Sequence, residues 1–264
     1  MVCTAWVKCS IRKRSVWRTK PSLTEISWHT TAASVISSSS ILYNTCMELD
    51  IKSQFENILL DLDGTLIDPI IGITSAIRFA LNCMNVPCPS MEILTSCIGP
   101  PLRKSFPKLL ASDDTELVEK AVSHYREYFS KTGLHENSLY PGVNDGLTLL
   151  ASRFNLYLAT AKPTVYAKDI VKHHRLNHLF KGIYGSELDG TYDNKADLIR
   201  YLVVSEQISP QKSLMVGDRE GDIESAHSNS MKAAGASWGY GSALELEKAD
   251  YLLSSFSDLV LLVS

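Results

Sequence analysis

Short apolar runs punctuate the chain from Phe55 onward, each bounded by polar or glycine-containing segments. Strand-length examples are NILLDLD, FNLYLATA, KGIYGSE, SLMVGD, MKAAGASW and ADYLLSS. The closing DLVLLVS is strand-sized as well. Between the later runs lie helix-length segments near 163–177, 194–206 and 222–228. Strands alternating with amphipathic helices predict an α/β fold, a parallel sheet covered on both faces.

The interval between the first two strands is too long for one crossover. Residues 69–141 read as helices. Asp68-Pro69 predicts an N-cap with proline at the first helical position, after which Ile73, Ile77, Ala80 and Leu81 share one face. Asp113 with Glu116 resembles a capping box. Val118, Val122, Tyr125 and Phe129 follow at helical spacing, a stripe that needs a partner helix. LYPGV (Leu139 to Val143) is the expected return turn. The predicted organisation is an α/β core over 47–68 and 142–264, with a small all-helical insertion over 69–141.

Composition changes this picture only at the N-terminus. Residues 1–46 hold six basic side chains and one acidic one, and are rich in Ser and Thr without clean periodicity. They are expected to be a disordered or targeting extension, or sequence upstream of a working start at Met47. A transit peptide would direct the protein to a mitochondrial or plastid matrix; otherwise the expected location is cytoplasmic. Excluding that segment's net +5 leaves −8 for the rest of a chain whose total is −3. An acidic body argues against nucleic-acid polymers as partners. No apolar run approaches the ~18–20 residues of a membrane span. The six cysteines show no CxxC pair and no metal spacing, so reduced thiols are expected.

Open α/β sheets bind ligands at the carboxyl ends of their strands. Four polar signals sit at those ends: DLDGT (61–65), ATAKP (159–163), Lys195 in TYDNKAD, and GDREGD (217–222). Alternation lets Asp61 and Asp63 project to one side, and Asp218 also ends a strand. Carboxylates held close need a shared cation or a proton. Three acids without Cys or His make a hard-oxygen site suited to Mg2+, with Lys195 offsetting part of the charge. Asp61 is then placed to attack phosphorus, and Asp63 to protonate the departing oxygen and later deprotonate water. Gly64, Thr160, Ala161 and Lys195 are the expected phosphate contacts, and Asp222 the expected support of the metal site. Asp68 reads mainly as an N-cap. Arg103, Lys162 and Arg219 are as readily solvated or structural as functional, and Trp238 and Tyr240 read as packing residues. His124, His173, His174 and His178 show no ligand spacing.

DLDGTLID, ATAKP, Lys195 and GDREGD together resemble the four motifs of the haloacid dehalogenase superfamily. The spacers IGPPLRKSF, LYPGV, KPTVYAKDIV, IYGSELDGTYDNKADLI and WGYGS are similar to its phosphoglycolate phosphatase-like and 5′-nucleotidase-like branch. The resemblance runs from about Phe55 to the C-terminus. It implies a Rossmann-like core, a helical cap over the site, an Asp61 nucleophile and an Asp63 acid/base. It also implies Mg2+ held by the Asp61 side chain, the Asp63 carbonyl and the Asp218 side chain. Ala161, where Ser or Asn is common, and Gly221, where His is frequent, are its departures. The expected activity is hydrolysis of a small phosphorylated metabolite, phosphoglycolate or a nucleoside 5′-monophosphate in type, by a monomer or homodimer. A sugar phosphomutase and a catalytically silent binding member are the alternatives. The 99 residues separating Asp61 from Thr160 argue strongly against a receiver domain.

Overall fold

The computed structural model describes residues 54–263, so the expected N-terminal extension over 1–46 lies outside the described residues. A six-stranded parallel sheet forms the centre. Its strands are β1 (Asn57–Leu60), β4 (Asn155–Pro163), β5 (Gly182–Ser186), β6 (Ser213–Gly217), β7 (Lys232–Ala236) and β8 (Tyr251–Leu253). Their spatial order is β5-β4-β1-β6-β7-β8. Counting only these strands, this is the 3-2-1-4-5-6 order of a Rossmann-like sheet, which reverses direction at β1.

All four residues of β1 are buried because both faces of the sheet are covered. Ile58 and Leu60 join one core with Leu156, Leu158, Leu214 and Val216, while Leu59 joins another with Tyr157 and Met215. Pairing of Leu59 with Tyr157 and Met215 keeps this alternation in step across three strands. Helices α5 (Val143–Ala151), α6 (Thr164–His173) and α9 (Phe256–Val263) cover the first face. Helices α7 (Lys195–Glu206) and α8 (Glu220–Ser228) cover the second.

A two-stranded antiparallel ribbon, β2 (Ile67–Asp68) with β3 (Ser138–Leu139), brackets the helical segment between the first two core strands. That segment contains α1 (Ile70–Cys83), α2 (Met91–Ser96), α3 (Leu102–Leu110) and α4 (Thr115–Lys131). The expected stripe of Val118, Val122, Tyr125 and Phe129 is buried, and α4 packs on α1, which buries Ile73, Ile77, Ala80 and Leu81. The rings of Tyr125 and Phe129 stack 5.3 Å apart.

Three local readings need correction. The N-cap of α4 is Asp114, whose carboxylate accepts from Glu116 N and Leu117 N, and not Asp113. Helix α1 begins at Ile70, one residue later than expected, with Asp68 Oδ1 accepting from Ile70 N at 3.0 Å. The terminal apolar run is a helix. Asp258 caps it by accepting from Ser254 N and Ser255 N, and Phe256, Leu259 and Val263 bury a helical face. Among the described residues, no helix is long and apolar enough to cross a membrane.

Candidate active site

Asp61 directly follows β1, and its backbone N–H still donates to Val216 O across the sheet. The chain then turns tightly, with Leu62 O accepting from the N–H groups of Thr65, Leu66 and Ile67. Gly64 has φ +84°, and a Cβ there would overlap the Asp218 carboxylate. Only glycine meets both requirements without strain. Asp218 follows β6, the immediate neighbour of β1, so the strand-order reversal sets the two aspartates side by side.

Asp222 enters from the first turn of α8. Its Oδ2 accepts from Arg219 N at 2.9 Å, and Gly217 leaves the room that its carboxylate fills. One carboxylate oxygen each from Asp61, Asp218 and Asp222 lies within 4.8 Å of the others, and all three residues are buried. Lys195 opens α7, capped by Asn194, and reaches in from the other side. Its Nζ donates to Asp61 Oδ1 at 2.7 Å and to Asp222 Oδ1.

Burial raises the Asp218 carboxyl well above its usual range, and the charges of Asp222 and Asp61 push the same way. Burial also raises Asp222, against the pull of Lys195. For Lys195, burial works against the ammonium, but Asp222 and Asp61 outweigh it and raise its proton affinity. Fully ionised, the three buried carboxylates facing one ammonium would leave an excess of two negative charges. An all-oxygen donor set with that excess fits a hard divalent cation.

The Asp63 side chain lies outside this trio. Its Oδ2 pairs with Lys162 Nζ at 2.8 Å, while its buried Oδ1 has no hydrogen-bond partner. Burial raises its carboxyl, and Lys162 opposes that rise. Lys162 is itself buried and sits 4.6 Å from the centre of the Phe129 ring. Sequence reasoning left Lys162 as a possible surface residue. The missed signal is its place in ATAKP, among the polar residues at the carboxyl end of a core strand, where ligand-facing groups gather.

Thr160 is buried in the carboxyl-terminal half of β4, where its Oγ1 accepts from Lys162 N at 3.3 Å. Ala161 O accepts from Ser186 Oγ at 2.9 Å. At Gly221 an added Cβ would meet open space, so the departure there leaves room and disturbs no packing.

Trp238 and Tyr240 hold the site's far wall. Trp238 Nε1 donates to Thr65 O at 3.1 Å, Tyr240 N to Asp218 Oδ2 at 2.7 Å, and Tyr240 OH to Asp68. Asp68 therefore does more than cap α1. Arg103 is engaged by Glu119, through Nε at 2.5 Å and Nη2 at 2.9 Å, and by Asp193 at 3.4 Å. Arg219 donates to Tyr240 O at 2.9 Å and pairs with Glu245 at 3.3 Å.

The model of the family described as haloacid dehalogenase-like hydrolase matches residues 58–236. A 5′-nucleotidase of Pseudomonas aeruginosa is 43% identical over 198 residues, spanning 75% of this chain and 89% of that protein. Tyrosine-protein kinase PtkA of Mycobacterium tuberculosis is 33% identical over 192 residues, spanning 72% of this chain and 65% of PtkA. Among solved structures, a predicted phosphatase from Clostridium acetobutylicum superposes with a TM-score of 0.76 at 37% identity. That match covers 79% of this chain and 97% of the other. The strand order, the aspartates at its reversal point and these relatives lead to one conclusion: the chain belongs to the haloacid dehalogenase-like hydrolases.

Proposed function

We propose that this family member is a magnesium-dependent phosphatase of small phosphomonoesters, acting through an aspartyl-phosphate on Asp61. The observation that carries the reading is the convergence of Asp61, Asp218, Asp222 and Lys195 at the strand-order reversal, with the unpartnered Oδ1 of Asp63 beside them. Mg2+ held by Asp61, Asp218 and the Asp63 carbonyl, with Asp222 in support, would offset the mutual repulsion of phosphate and carboxylate.

Lys195 anchors Asp61 Oδ1 and so leaves the other carboxylate oxygen to attack phosphorus. As that O–P bond forms, the ester P–O bond breaks, and Asp63 gives its proton to the departing oxygen. Burial favours the protonated form of Asp63 that this step requires. Asp63 then takes a proton from water as the water oxygen bonds to phosphorus. The aspartyl O–P bond breaks, returning the Asp61 carboxylate and inorganic phosphate. Thr160, Ala161 and Gly64 hold the non-bridging oxygens, and Lys195 balances their charge. The helical segment over 69–141 serves as a cap that excludes water and meets the leaving group. Phosphoglycolate and nucleoside 5′-monophosphates are the first substrates to try.

The test is phosphate release from a panel of such esters, with magnesium and with EDTA, for the wild type and Asp61→Asn. The expected result is activity that depends on magnesium and is lost in the variant. Phosphate release without a nucleotide donor separates hydrolysis from the kinase chemistry named for PtkA, and the absence of an isomerised ester separates it from a mutase. A fully active Asp61→Asn protein would remove the covalent step.

A further inference from the structure

Among the described residues, three buried side-chain polar atoms have no hydrogen-bond partner: Asp63 Oδ1, Arg126 Nε and Glu136 Oε2. Asp63 and Arg126 line the same cavity, of about 60 Å³, whose apolar wall includes Ile73, Tyr125, Phe129 and Tyr166. A buried donor or acceptor without a partner is unfavourable and is rare unless something else satisfies it. Two residues that carry such atoms line this one cavity, which marks it as the place where a ligand would complete them.

The two arginines at this cavity differ in charge balance. Arg103 already has Glu119 and Asp193 as carboxylate partners. Arg126 donates from Nη2 to the Leu188 carbonyl at 2.8 Å, and no described carboxylate pairs with it within 4.0 Å. Burial lowers its proton affinity, and neighbouring Arg103 adds to the effect. A half-buried cation with a free Nε–H and no counter-ion calls for an anionic acceptor.

We infer that this cavity is the leaving-group subsite and that Arg126 selects short phosphate esters whose leaving group ends in a carboxylate. The inference rests on the phosphatase reading above, which places the ester oxygen at Asp63. From there the leaving group crosses the cavity to Arg126. The cavity has room for more than a single water, and so for a short leaving group. The larger neighbouring groove, about 620 Å³, shares Ala161 and Asp193 with this cavity, is lined by Asp61, Lys195 and Asp222 on the phosphate side, and holds neither unpartnered atom.

The experiment compares kcat/KM for phosphoglycolate and for ethyl phosphate, which has the same length but a methyl in place of the carboxylate. Wild type, Arg126→Gln and Arg126→Lys are measured. The wild type is expected to favour the carboxylated ester by about 10- to 100-fold, the range that charge-assisted hydrogen bonds supply. In Arg126→Gln this ratio should fall to within about threefold of unity, chiefly through KM for phosphoglycolate, and Arg126→Lys should lie between. A ratio that survives in Arg126→Gln overturns the inference, as does a wild type that hydrolyses ethyl phosphate or adenosine 5′-monophosphate at least as well as phosphoglycolate. All three of those results leave the phosphatase reading standing. A wild type that releases phosphate from none of these esters overturns both. If Arg126→Gln does not fold, the wild-type preference and the Arg126→Lys ratio decide.

Discussion

Replacing Asp218 with Asn should stabilise the metal-free protein while abolishing turnover. The carboxylate oxygens of Asp218, Asp61 and Asp222 approach within 4.8 Å. At that separation each like-charge pair repels by about 3.5 kcal/mol if the effective dielectric constant is ~20. Lys195 relieves Asp61 and Asp222, to which it is bonded directly, and partial protonation of Asp218 relieves the remainder. Asn keeps an oxygen to accept the Tyr240 N–H bond of 2.7 Å, and it keeps the side-chain shape. Most of the repulsion is thus already reduced in the wild type, and the expected net gain is about 1–3 kcal/mol. For a folded body of some two hundred residues that corresponds to a rise in Tm of roughly 3–10 °C. The assay is thermal unfolding at pH 7.5 in EDTA and again in millimolar magnesium. Wild type should gain stability with magnesium by mass action, and Asp218→Asn should gain little. A variant that melts below wild type in EDTA, or that gains as much from magnesium, would refute the charge argument.

Two further outcomes follow from the same electrostatics. Burial holds Asp63, Asp218 and Asp222 above the usual carboxylate range, so the folded chain binds more protons than the unfolded chain there. Stability of the metal-free protein should therefore decline as pH rises from the ordinary carboxylate range through the raised values. Magnesium should flatten that decline, which a series of melting curves from pH 4 to 8 would reveal. Lys162→Met removes the cation that lowers the Asp63 carboxyl, so the basic limb of the kcat/KM profile should move to higher pH. A limb that stays in place would take Asp63 out of the acid role.

Local signals reach far in this chain. Strands β1 and β6 end where an apolar run meets an Asp, and side-chain alternation needs only neighbours, so the candidate residues at these strand ends could be read in order. The helical stripe of α4 was equally legible, because spacing along one helix is local. Legibility weakened where two local solutions compete. Asp113 and Asp114 both suit an N-cap, and only the backbone geometry selects Asp114. The terminal DLVLLVS suits strand or helix by composition, and the helix prevails because it seats Phe256, Leu259 and Val263 in the core while Asp258 caps it.

The sequence by itself determined the α/β class, the acids that end β1 and β6, and the family resemblance, because these depend on periodicity and on residue types at fixed spacing. Tertiary structure alone decided that β1 lies between β4 and β6, which gathers Asp61, Asp218 and Asp222 around Lys195. It also decided that Lys162 is buried between Asp63 and Phe129, and that Arg126 shares a cavity with Asp63. Those contacts join segments dozens of residues apart, and their energies depend on burial and charge neighbours that no window of sequence contains.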